Sequence, residues 1–173
     1  KPLKGLRIAP YYGCLIVRPA FQGVFDDAEY PTTLDKLMKT LGATVVDFPM
    51  KAHCCGGHMT QISQSTGLEL IRQLLQNAAD NQADAIVTLC PMCQLNLDAY
   101  QNDVNKFFKT NYQIPILYFT QMMGLAFDIP AADLGIGKEF IDARPALAKI
   151  GVEVPEPETP KKKPAKEALP MPR

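Results

Sequence analysis

Apolar residues along this chain follow two alternating rhythms. Short continuous runs at 6–12, 43–48, 85–89 and 114–119 are rich in branched and aromatic residues. Gly, Pro or polar positions bound them, so they read as buried strands. Between them the spacing becomes helical. One helix is predicted from Thr32 or Thr33, as cap, through Leu34, Leu37, Met38 and Leu41, with Gly42 as terminator. A second covers 65–80, with apolar positions 68, 71, 74, 75, 78 and 79 forming one face, and a third runs over 93–108. Thr120 is expected to cap a short fourth helix through Met122, Met123, Leu125 and Ala126. Parallel neighbouring strands need crossover helices, so the alternation predicts an α/β fold with a mostly parallel sheet flanked by helices.

The pattern ends near Val154, where Pro155, Pro157, Pro160, Pro164, Pro170 and Pro172 interleave with Lys161, Lys162, Lys163 and Lys166. Such a stretch buries too little apolar surface to offset its ordering entropy. The expected organisation is one domain over residues 1–150 and an extended, disordered Pro/Lys tail over 151–173, solvated or docked on an acidic partner. A chain of 173 residues suits that single core.

Charge and composition narrow the class. Lysine plus arginine number 18 and aspartate plus glutamate 18, so no long-range field favours nucleic acid or anionic lipid. No apolar run approaches the roughly 18 residues that span a bilayer. The chain begins with Lys1 rather than Met, in keeping with a trimmed or longer polypeptide. Its odd cysteine count argues against a disulfide framework and for a reduced, cytoplasmic setting.

Those cysteines carry the chemistry. Cys14 and Cys90 follow the ends of expected strands, and Cys54-Cys55 lie a few residues beyond a third. Ligands in open α/β sheets collect outside the carboxyl ends of the strands, so all five thiols can meet at one rim. Cys90-Pro91-Met92-Cys93, at a strand-to-helix junction, brings two thiolates within reach of one metal. Adjacent Cys54 and Cys55 diverge too far to suit a single tetrahedral ion and fit a larger object gripped from two sides. Gly56 and Gly57 let the backbone approach such a group and turn away. Zinc needs four ligands, which leaves a fifth thiolate to explain.

Around them stand residues with two readings each. His53 and His58 flank the cysteine pair as ligands, proton donors or outer groups around a metal. Arg18 and Lys51 are candidates for holding an anionic substrate, or ordinary surface charge. Tyr11 and Tyr12 pack over the site or fill the sheet. Met122 and Met123, with Phe119 and Phe127, form a core stripe or a subunit contact. Asp26-Asp27 are expected to begin a turn before the first helix.

Written out, the pattern is C-x39-C-C-G-G-x32-C-P-M-C. It resembles the cysteine-rich CCG domain, specifically the carboxyl-terminal half of the heterodisulfide reductase B subunit and its relatives in sulfur-oxidising bacteria. Tyr12-Gly13-Cys14, Arg18-Pro19, Phe25-Asp26-Asp27, Pro31-Thr32-Thr33-Leu34 and Leu41-Gly42-Ala43 fall in the same order as in that family, across roughly residues 5–130. The resemblance implies a non-cubane [4Fe-4S] cluster held by Cys14, Cys54, Cys55, Cys90 and Cys93, through which those residues would be catalytic. It further implies an oxidoreductase component that cleaves or forms a disulfide, working with a ferredoxin-like iron–sulfur subunit and a flavin-containing subunit. The substrate would be a small thiol/disulfide or a lipoyl-type molecule. Members of the family typically have two such motifs and this chain has one, as a fragment, a one-motif paralogue, or half of a site completed by a partner. Two other readings remain: a CCG electron-transfer subunit of a quinone-linked complex oxidising succinate, glycolate or lactate, and a zinc-binding assembly module.

Overall fold

A computed structural model describes residues 3–18 and 26–156. Among these, four strands form one sheet: β1 (Arg7–Tyr11), β2 (Thr44–Val45), β3 (Ala85–Thr88) and β4 (Ile116–Tyr118). Their order is β2-β1-β3-β4 and every pairing is parallel, with Ile8 opposite Val45 and Ala85, and Val87 opposite Leu117. The α/β architecture expected from the hydrophobic rhythm is therefore the observed one.

The helices are α1 (Thr33–Thr40), α2 (Met59–Ile62), α3 (Gln64–Asp80), α4 (Pro91–Ala99), α5 (Gln101–Phe108), α6 (Phe119–Ala126) and α7 (Arg144–Leu147). A 3-10 turn at Ala148–Ile150 closes the described fold. Two apolar layers sandwich the sheet. Ile8, Ala85, Val87 and Leu117 point into one with Leu34 and Met38 of α1 and Met122 and Leu125 of α6. Ala9, Tyr11, Ile86 and Ile116 point into the other with Leu68, Ile71 and Leu75 of α3, Leu97 of α4 and Val104 of α5. The two-residue alternation of strand side chains produces this division.

Several local expectations differ from what folds. The second strand is only two residues long and pairs with β1 alone. The helix expected over 93–108 begins earlier, at Pro91, and breaks at Tyr100 into α4 and α5. Pro91 tolerates the first turn because it has no N–H to leave unpaired. Thr32 stands at the cap position of α1, but its side chain makes no capping bond. The Asp26 carboxylate takes the Thr32 and Thr33 amides instead, and the Tyr12 hydroxyl accepts from Leu34 and Asp35. Thr120 lies inside α6, whose start is set by Tyr118 donating its N–H to Gln121 Oε1. The short helices α2 and α7 carry too few apolar positions to announce themselves by periodicity.

Met122 is buried in the core as a stripe residue should be, whereas Phe127 is 68% exposed and belongs to no stripe. Asp26 and Asp27 form the expected turn; Asp27 accepts the Glu29 and Tyr30 amides. Val152 and Val154 still pack on the core, while residues 157–173 of the expected tail, with Pro19 and Phe25 of the motif, lie outside the described residues. Helix α3 meets α2 through a glycine: a Cβ at Gly67 would stand 2.7 Å from Thr60 Cγ2 and 2.8 Å from its backbone nitrogen. Gly67→Ala is accordingly expected to lower stability by about 1–3 kcal/mol, read from the midpoint of urea unfolding, because backbone cannot yield as a side chain can.

Candidate metal centre at the sheet switch point

The chain leaves β1 toward the layer holding α1 and leaves β3 toward the layer holding α4. Adjacent strands whose connections depart to opposite faces open a crevice between them, a topological switch point. Cys14 lies just past β1; Cys90 and Cys93 open α4 just past β3; Cys54 and Cys55 enter from the loop beyond β2, which flanks β1.

The sulfurs meet there. Cys55 Sγ and Cys93 Sγ are 3.3 Å apart and both residues are buried. Cys90 lies near Cys93, and Cys14 near Cys54. All five cysteines are free thiols, with Cys54 the most exposed. Two thiolates on one tetrahedral metal at about 2.3 Å each would stand roughly 3.8 Å apart, so the buried pair needs little adjustment to share one. Among the described residues, no three His, Cys, Asp or Glu side chains surround a single point as ligands of one ion. The donor set is all soft sulfur, the chemistry that zinc and iron–sulfur groups take.

Glycines shape the crevice. Gly13 has φ +71°, and a Cβ on it would stand 3.0 Å from Cys93 Sγ and 3.8 Å from the Tyr11 hydroxyl. Gly56 also has positive φ, but its open side faces the backbone of Gly67 in α3 rather than the sulfurs. Gly57 borders the site: a Cβ there would meet Met92 Cγ at 3.2 Å and Cys55 Sγ at 3.6 Å.

Burial and mutual contact divide the thiols' acidities. Contact with the Cys93 sulfur, with the Gly57 amide and the Tyr11 hydroxyl, lowers the Cys55 thiol to about 7 despite its burial. Contact with the Cys55 sulfur and burial push Cys93 well above the ordinary range. Burial and then the Cys54 charge raise Cys14.

The flanking residues sort themselves by burial. His53 and His58 are both exposed; the His53 carbonyl accepts the Tyr11 hydroxyl at 2.7 Å. Arg18 pairs with Glu29 at the surface. Lys51 is neither a surface charge nor a free anion-binding group: it is 2% exposed, with Nζ 2.6 Å from Asp35 Oδ1 and over the Tyr30 ring at 4.4 Å. Its carbonyl accepts the Tyr12 and Gly13 amides, fastening the end of β1 to the loop that leads to Cys54. The Tyr12 hydroxyl donates to Asp35 Oδ2, so Tyr12 serves that network, and Tyr11 faces the sulfurs.

Two supports were missed in the sequence. Asn96 Nδ2 donates to the Cys55 carbonyl at 2.7 Å from the buried side of α4. Asp98, also on α4, accepts the Phe140 and Ile141 amides and anchors that loop. The available signal was a pair of polar residues on the same helix turn as apolar Leu97. Burial raises the Asp98 carboxyl, outweighing its two amide bonds. The folded chain then keeps this proton to higher pH than the unfolded one, whose aspartate titrates near about 3.9. Stability from this group is complete below that value and is lost as pH rises toward the folded one. Asp98→Asn is expected to remove that component from unfolding curves measured between about pH 4 and 7.

Residues 8–98 match the cysteine-rich domain, CCG, and the chain belongs to that family. It is 38% identical over 143 residues to the 8-methylmenaquinol:fumarate reductase membrane anchor subunit of Wolinella succinogenes, covering 83% of this chain and 50% of that protein. It is 35% identical over 147 residues to the B subunit of the ferredoxin/F(420)H(2)-dependent CoB-CoM heterodisulfide reductase of Methanosarcina acetivorans, covering 84% and 49%. A protein of Archaeoglobus profundus described as like the heterodisulfide reductase B subunit is 29% identical over 127 residues, covering 71% of this chain and 42% of that protein. The chain thus spans about half the length of the curated relatives it matches. Among the described residues, no helix is long and apolar enough to cross a membrane.

Proposed function

We propose that the protein is the iron–sulfur electron-transfer component of a heterodisulfide-reductase-like complex, with Cys14, Cys54, Cys55, Cys90 and Cys93 holding a non-cubane [4Fe-4S] cluster. The meeting of these cysteines at the switch point carries this reading. When bound, such a cluster supplies one-electron chemistry to a sulfur–sulfur bond. Cleavage of a disulfide takes two electrons and two protons and yields two thiols; the reverse releases them.

The chain's own part is holding and shielding. Cys55 and Cys93 grip from the buried side, while Cys14 and Cys54 stand toward solvent, where a substrate sulfur would enter. Asn96 fixes the Cys55 backbone, and the Lys51 carbonyl fixes that of Gly13. His53 and His58 are exposed on either side of the cysteine pair. Leu15 is 79% exposed beside Cys14, and Met92 and Leu95 are exposed on α4. This apolar fringe supports a face covered by other subunits, of ferredoxin-like and flavin-containing kinds.

The test is anaerobic reconstitution with assay of iron and acid-labile sulfide, then electron paramagnetic resonance with and without added thiol. Iron uptake and a thiol-altered signal are expected; a folded chain that takes up no iron rejects the cluster. A second reading, a CCG subunit passing electrons to or from a quinone, draws support from the name of the fumarate reductase relative. Turnover with a quinone acceptor but with no disulfide would select it.

A further inference from the structure

Carbonyl groups in the segment that carries the cysteine pair are taken up at every second residue. The Lys51 carbonyl accepts the Tyr12 and Gly13 amides at 2.8 and 3.2 Å. The His53 carbonyl accepts the Tyr11 hydroxyl at 2.7 Å. The Cys55 carbonyl accepts from Asn96 Nδ2, also at 2.7 Å. The first two ties lead to β1 and its end, and the third leads to α4. Both donor side chains are buried. The Tyr11 ring stands edge-on to Phe48 at 6.3 Å, and Asn96 lies three residues beyond Cys93, on the same face of α4.

Asn96 therefore joins two cysteine-bearing segments. Helix α4 carries Cys93, the loop carries Cys55, and their sulfurs stand 3.3 Å apart. A single hydrogen bond fixes a point about which a loop still pivots. A second bond two residues away, from a different element, removes the pivot. We infer that Asn96 and Tyr11 are positioning residues that clamp this loop between α4 and β1, so that the chain rather than the bound group sets Cys55 against Cys93. The inference rests on the reading of these cysteines as ligands given above, whichever soft metal they hold. A site ordered in advance loses less freedom on binding, so the clamp is expressed as affinity.

The experiment is an anaerobic titration of the reduced full chain with cadmium(II), a soft ion that takes thiolate sulfur, followed by its ultraviolet charge-transfer band. The variants are Asn96→Leu, Tyr11→Phe, the two combined, and Gln101→Leu, each with urea unfolding measured alongside. Gln101 is the control: its buried amide donates to the Ile114 carbonyl at 2.7 Å, the same chemistry toward a segment that carries no cysteine. Asn96→Leu and Tyr11→Phe are each expected to weaken cadmium binding roughly 10–100-fold. Gln101→Leu is expected to lower the unfolding midpoint and keep wild-type affinity. The combined variant is expected to lose less than the product of the two single losses, because the first release already frees the loop. Wild-type affinity in the folded single variants, losses that multiply, or a loss in Gln101→Leu as large as theirs each overturn the inference. Iron and sulfide assays on the same preparations keep the two readings apart. A wild type that takes cadmium, with the variants in the expected order, but takes no iron rejects the cluster and leaves the clamp standing; one that takes neither overturns both. Should Asn96→Leu not fold, Tyr11→Phe, which deletes only a hydroxyl, decides alone against Gln101→Leu.

Discussion

Replacing Cys93 by alanine is expected to leave the reconstituted protein with on the order of a tenth or less of wild-type iron, as ligand loss does where binding and ordering are linked. Cys93 sits centrally among the sulfurs: it lies 3.3 Å from Cys55, is near Cys90, and abuts Gly13. It is also buried, so solvent cannot supply a substitute ligand as it could at exposed Cys54. Iron and sulfide assays with visible charge-transfer absorption give the readout, and far-ultraviolet circular dichroism checks that the α/β fold persists. Wild-type iron in a folded Cys93→Ala would remove this cysteine from the ligand set. Cys54→Ala is expected to retain more iron than Cys93→Ala.

The largest effect on stability is expected at Asp35. Its carboxylate accepts from Lys51 Nζ at 2.6 Å and from the Tyr12 hydroxyl at 2.7 Å, and its side chain is only 13% exposed. Asp35→Ala strands an ammonium that is 2% exposed. Removing one partner of such a pair costs about 3–5 kcal/mol, mostly as the uncompensated charge left behind. For a chain of this size that corresponds to a fall of roughly 6–20 °C in melting temperature. The double variant Asp35→Ala, Lys51→Met is expected to lose less than Asp35→Ala alone, since no charge is orphaned. Equal losses in both would show that packing, rather than charge, sets the cost.

What was legible in the sequence and what was not follow from range. Cysteines at strand ends announce a site because both the strand and its terminus are local signals, and the parallel sheet then gathers distant ends at one rim. The role of Lys51 depends on Asp35, on a different element, and nothing near it in sequence marks it as buried. Thr32 has the neighbours of a cap, yet Asp26 and Tyr12 reach those amides from outside the helix. The break at Tyr100 has a similar origin. Gln101 turns into the core to exchange bonds with the Ile114 backbone, a demand from the segment leading into β4 that helical periodicity does not encode. Gly57 opens toward the sulfurs as its place beside the cysteine pair suggests, whereas Gly56 makes room for α3.

The opposite departures of the β1 and β3 connections have a mechanical consequence. Anything gripped simultaneously by Cys14 on one side and Cys93 on the other acts as a rivet through the sheet, joining the two helical slabs. Loading the rivet should slow amide exchange in α1 and α4 together, although those helices lie on opposite slabs, and so report occupancy far from the sulfur atoms.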